Sequence, residues 1–148
     1  MIQWAIVAVY VLAMFLFAGQ EASSASQTGR WLAKLLPHLS GAELRELVFA
    51  ARKIGHVLAY GLLTLLVYYA ARKTKRLSRL ALPFSVAFSL VVALADETYQ
   101  SRLYYRTGTL NDVLIDGLGI GAAALGVWLT ARFRGDSKEV AEDVEDER

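Results

Sequence analysis

The sequence predicts an all-α integral membrane bundle: about four transmembrane helices plus a short interfacial helix. Three observations predict it. Long apolar stretches alternate with short charged ones in a chain that is 55% hydrophobic, with a mean hydropathy of +0.37. The apolar stretches reach the roughly 17–25 residues that cross a hydrocarbon core about 30 Å thick. Charges gather between these stretches, whereas the helices of a soluble core of this size would carry them every turn on one face. At 148 residues the chain suits one domain. Cysteine is absent, which excludes disulfides, thiolate metal sites and a cysteine nucleophile. The formal charge of +2 is too small to imply nucleic acid, and no basic run is interleaved with stacking aromatics.

Ile2 to Gly19 is uncharged and forms the first span. A cleaved signal peptide is the rival reading, since small polar residues follow at 22–26. It is disfavoured because no Lys or Arg precedes the run, and the run exceeds a 7–15-residue h-region. Ser23, Ser24, Ser26, Thr28 and Gly29 read as loop. Trp31, Leu32, Leu35 and Leu36 recur at helical spacing between Arg30 and Lys34, as in a short helix lying in the interface and anchored by Trp31. Pro37 ends it. Ser40-Gly-Ala-Glu43 is a capping-box pattern, which starts a helix running through Arg45 and Arg52 into the second span, Ile54 to Ala71. Leu80 to Ala95 is the third span, tolerating Pro83 near its start and continuing through Gln100. Leu110 to Ala131 is the fourth. The expected domain is residues 1–134, followed by a disordered acidic tail over 135–148.

Arg72, Lys73, Lys75, Arg76 and Arg79 crowd one loop, and Arg132, Arg134 and Lys138 follow the last span. With four spans these share a side. By the positive-inside rule that side is cytoplasmic, with both termini inside. The 20–53 connection, with five Lys and Arg of its own, pulls the other way.

Ionisable groups inside spans are costly, about 2.5–3.5 kcal/mol each for Asp, Lys or Arg at a helix centre, and are by default functional candidates. Lys53, His56, Tyr60 and Thr64 are spaced three and four apart, so they share a helix face. Asp96, Glu97 and Gln100 fall within one turn and a half. Asp112 and Asp116 are four apart, and Arg106 lies just before their helix. In the four-span topology all of them approach one membrane face. Lys53, Arg106 and Arg52 are expected to pair with the carboxylates, because pairing lets charges persist at low dielectric. Each feature also has a plainer reading. A lone intramembrane His is more often a hydrogen-bonded packing residue than a catalyst; Asp96 and Glu97 mark a span end; Asp112 suits a helix N-terminus. Asp116, one turn deeper, is harder to explain so. Gly117, Gly119, Gly121 and Gly126 with Ala122 to Ala124 read as close helix packing. No metal-binding cluster has convincing spacing, and neither a metal nor another cofactor is expected.

The ordered set Arg52-Lys53-x-x-His56-x-x-x-Tyr60, Asp96-Glu97-x-x-Gln100, Arg106 and Asp112-Val-Leu-Ile-Asp116, with Gly119 after it, resembles the VanZ-like family. The resemblance covers residues 52 to about 126. It departs at Asp116, where many members carry Asn, and at Ala123, where many carry Gly. It implies a bacterial inner-membrane protein, in a family whose founding member is associated with resistance to the glycopeptide teicoplanin. Three functions follow as expectations. The first is binding of an amphiphile (a lipid, a lipid-linked wall precursor or a lipoglycopeptide) at the outer face through Lys53, His56, Tyr60, Asp96, Glu97, Gln100, Arg106, Asp112 and Asp116. The second is an enzyme acting on a lipid headgroup, with His56, Glu97 or Asp112 as acid or base. The third is a small transporter or proton relay, for which four helices would need a homo-oligomer. Binding is the favoured expectation.

Overall fold

The computed structural model describes residues 1–21, 24–104 and 110–146, with side chains in the last segment from Asn111 to Phe133. Five helices follow in order: α1 (Ile2–Ala18), α2 (Ala25–Leu35), α3 (Gly41–Arg72), α4 (Ala81–Gln100) and α5 (Leu110–Asp146). A 3-10 turn at Ser78–Leu80 leads into α4. No strand occurs among the described residues. Three helical stretches are long and apolar enough to cross a membrane: Gly41–Arg72, Ser78–Gln100 and Asn111–Phe133. The fourth, α1, has 17 residues, a rise of about 25 Å at 1.5 Å per residue, at the short end of what spans.

The helix starts have local causes. Ser40 caps α3 through a capping box: the Glu43 amide donates to Ser40 Oγ at 3.3 Å, and the Ser40 amide donates to Glu43 Oε2 at 2.8 Å. The cap lets one helix carry both the polar turns before the span and the span itself. The interfacial helix begins earlier than its apolar spacing predicts. Ser24 is its N-cap, accepting from the Gln27 amide, so Ser26, Thr28 and Gly29 are helical rather than loop. It ends at Leu35, two residues ahead of Pro37. Trp31 and Leu35, one turn apart, stay exposed, as a helix resting on lipid requires. Pro83 sits in the first turn of α4, where a missing amide costs least. The backbone of α5 continues to Asp146, beyond its apolar stretch. The side chains of the acidic tail expected over 135–148 lie outside the described residues.

The core is narrow. Val7, Tyr60, Leu63, Val67, Ala70, Val92, Ala93 and Ile120 form its buried centre, drawn from α1, α3, α4 and α5. Large apolar side chains such as Leu12, Leu58, Leu62, Leu114 and Leu118 remain exposed on the outer faces. In water such a surface would drive aggregation, whereas lipid tails solvate it.

Helices α3 and α5 form the closest pair. A Cβ built on Gly119 would collide with the Val57 carbonyl oxygen, and one on Gly61 would meet the Gly119 carbonyl at 3.3 Å. The glycines therefore let two backbones touch, as small residues do in membrane helix pairs. The ends of the bundle are also fixed by contacts. Trp4 Nε1 donates to Thr74 Oγ1 at 2.9 Å, which places the start of α1 beside the basic loop. The Phe15 and Tyr99 rings meet at 5.8 Å, which places the end of α1 beside the end of α4.

Candidate functional site

The end of the bundle away from the basic loop gathers polar groups from three spans. The glycine contact between α3 and α5 brings His56 against Asp116: Nδ1 lies 2.9 Å from Oδ1. Glu97 of α4 approaches the same nitrogen, with Oε1 at 3.9 Å. Below them Tyr60 donates to Asp96 Oδ2 at 3.0 Å, and Gln100 Nε2 donates to the same oxygen at 2.8 Å. Deeper still, Thr64 Oγ1 donates to the Tyr60 carbonyl at 2.8 Å and lies in hydrogen-bond contact with Ser89 Oγ at 3.0 Å. Tyr60, Thr64, Ser89, Asp96, Glu97, Gln100 and Asp116 are all buried, and His56 is about one-fifth exposed.

Burial at this depth is costly for carboxylates unless their lone pairs are met. Both oxygens of Asp96 and Asp116 are buried, yet only one of each finds a hydrogen bond among the described residues. Asp96 Oδ1 and Asp116 Oδ2 have none. The cluster thus presents acceptors that a proton, a cation or a donor group could meet.

Two cavities open onto it. One, of about 310 Å³, has an apolar side from Met14, Phe17, Ala18, Ala51 and Ala59 and a polar side that includes Arg52, His56, Tyr60, Asp96 and Gln100. The other, of about 330 Å³, is the more polar of the two, with Arg52, Lys53, His56, Gln100 and Asp112 around it. Arg52, His56 and Gln100 line both.

The VanZ/LLP1 family model matches residues 2–133, nearly the whole described span. The chain belongs to the VanZ/LLP1 family. No curated protein and no solved structure matches it.

In this VanZ/LLP1 chain the residues expected at one face divide into groups. His56, Tyr60, Asp96, Glu97, Gln100 and Asp116 come together in the buried cluster. Lys53 and Asp112 stand at its rim, half-buried on the polar cavity. Among the described residues Lys53 makes no carboxylate pair of the kind expected: its Nζ sits 4.1 Å over the Phe49 ring. The reason is local. Phe49 is one turn back on the same exposed flank, and a cation over an aromatic face avoids the cost of carrying the ammonium into the core. Arg106 lies outside the described residues. Where no metal site was expected, the fold brings His56, Glu97 and Asp116 within reach of a single ion, with ligand atoms all within 4.8 Å of one another.

Sequence reasoning missed Ser85 and Ser89, both fully buried on α4. Their signal was present. Ser85 and Ser89 are four apart, and with Ala93, Asp96 and Gln100 they continue one face of α4 at helical spacing.

Proposed function

We propose that this protein is a bacterial inner-membrane component of the cell envelope that binds an amphiphile at the outer membrane face. The observation that carries this reading is the two-sided cavity. Its apolar wall from α1 and α3 suits an acyl or prenyl chain. Its polar wall offers a guanidinium from Arg52, a phenol from Tyr60, an amide from Gln100 and the imidazole of His56, which suit a headgroup. A lipid, a lipid-linked wall precursor and a lipoglycopeptide such as teicoplanin share that division into chain and polar head. The adjoining polar cavity gives a larger headgroup room to extend towards Lys53 and Asp112.

The His56–Asp116 contact at 2.9 Å favours a second reading, in which His56 is oriented by a carboxylate and acts as acid or base on the headgroup. The two readings separate by mutation. Ala51 is exposed on α3 and lines the amphipathic cavity, so Ala51→Trp fills the cavity from its mouth without disturbing the core. It should lower co-purifying or added amphiphile at least about tenfold, a loss of about 1.4 kcal/mol, as read by native mass spectrometry in detergent. His56→Ala removes one of several headgroup contacts, so it should weaken amphiphile binding only in part under either reading. Only the second predicts a headgroup-modified product in the parent protein that this variant lacks. Full binding by Ala51→Trp would remove the cavity from the account.

A further inference from the structure

We propose that His56, Glu97 and Asp116 form a binding site for one divalent transition-metal ion. Each contributes one ligand atom from a different helix, α3, α4 and α5, and the atoms lie within 4.8 Å of one another. His56 Nδ1 is already 2.9 Å from Asp116 Oδ1 and 3.9 Å from Glu97 Oε1. Ligand atoms about 2.0–2.2 Å from a common ion stand roughly 3–3.5 Å apart, so a small inward movement of Glu97 completes the set.

A second observation points to a ligand independently of that clustering. Asp116 is fully buried, and its Oδ2 has no hydrogen-bond partner. An ionised carboxylate with an orphaned oxygen in the interior of a membrane bundle is expensive. A cation seated between Asp116 and His56 would neutralise that carboxylate's charge, and an asparagine there would not supply the charge to hold one. The site is also built rigidly. Gly119, three residues after Asp116, packs against the backbone of Val57, the residue after His56, so the close approach of α3 and α5 holds the two ligands side by side.

The donor set chooses among metals. Imidazole with two carboxylates suits Zn²⁺ or Mn²⁺. Mg²⁺ and Ca²⁺ prefer all-oxygen shells, and Cu⁺ prefers thiolate, which this chain lacks. Three protein ligands leave coordination positions open, unlike the closed four-ligand shells of structural zinc. His56 lines both cavities, which therefore reach the edge of the site. The proposal goes beyond amphiphile binding and does not need it.

The test uses the full chain in detergent, carrying no polyhistidine tag and stripped with a chelator. Titration with ZnCl₂ or MnCl₂ is followed calorimetrically, and Co²⁺ is used as a spectroscopic probe. About one equivalent should bind, and Co²⁺ should develop visible absorption bands. Changes to groups that merely orient ligands cost about 10–100-fold in metal affinity, so Asp116→Asn and His56→Ala should each weaken binding at least about 100-fold. Glu46→Gln, on an exposed position of α3 ten residues before His56, should bind as the parent does. Absence of stoichiometric binding by the parent protein would overturn the proposal, whatever the variants do. So would equal binding by a folded Asp116→Asn protein. Amphiphile retention in the chelator-stripped parent keeps failure of this proposal distinct from failure of the binding reading.

Discussion

At the scale of single residues, the site rests on a buried carboxylate held from two sides. Asp96 Oδ2 accepts from Tyr60 on α3 and from Gln100 one turn along α4, so one oxygen ties two spans together. Leaving a buried acceptor short of a donor costs about 1–3 kcal/mol. Tyr60→Phe should therefore lower the thermal unfolding midpoint of the detergent-solubilised protein, while retaining the ring contact with His56. An unchanged midpoint would mean that the bond adds nothing to the link between α3 and α4. The stripe Lys53, His56, Tyr60 and Thr64 was legible as one helix face because helical spacing fixes which residues share a side. The partner each would choose was not. Lys53 lies on that face yet turns back to Phe49, a choice set by a short local contact that spacing does not reveal. Tyr60 and Thr64, with their polar atoms matched to Asp96 and Ser89, stay in the core.

At the scale of helices, the arrangement depends on how closely α3 and α5 approach. Alanine is favoured over glycine in a helix by about 1 kcal/mol. Gly117 and Gly121 have nothing within 4 Å of an added Cβ, so Gly117→Ala and Gly121→Ala should hold or raise stability. Gly119→Ala should do the opposite. Its Cβ would strike the Val57 backbone, and overpacking of this kind costs about 1–3 kcal/mol or more. Folded yield and thermal midpoint in detergent measure both outcomes. The glycine-rich run was legible as a packing face, but the sequence offers four glycines and the helix register selects one. Span positions and the Ser40 capping box were readable for the same reason in each case: length and cap chemistry are local. The earlier start of the interfacial helix was not read, because Ser24 sits among other serines and only the fold shows which of them caps.

At the scale of the whole molecule, the polar cluster and the basic loop occupy opposite ends of the bundle. Trp4 meets Thr74 at one end, and Phe15 meets Tyr99 at the other. Which end faces out decides what the cavities can meet, and the proposed amphiphile site requires the cluster to lie outside, towards wall precursors and external amphiphiles. The absence of native cysteine makes single-cysteine reporters clean. Gln100 belongs to the cluster but is buried, so exposed neighbours serve better: Tyr104 at the cluster end and Lys75 in the basic loop. The deciding measurement is labelling of Tyr104→Cys and Lys75→Cys in intact cells with a membrane-impermeant maleimide, with lysed cells as the reference. Tyr104→Cys should be labelled in intact cells and Lys75→Cys only after lysis. Labelling of Lys75→Cys in intact cells, with Tyr104→Cys protected until lysis, would put the cluster in the cytoplasm and contradict an envelope-facing amphiphile site.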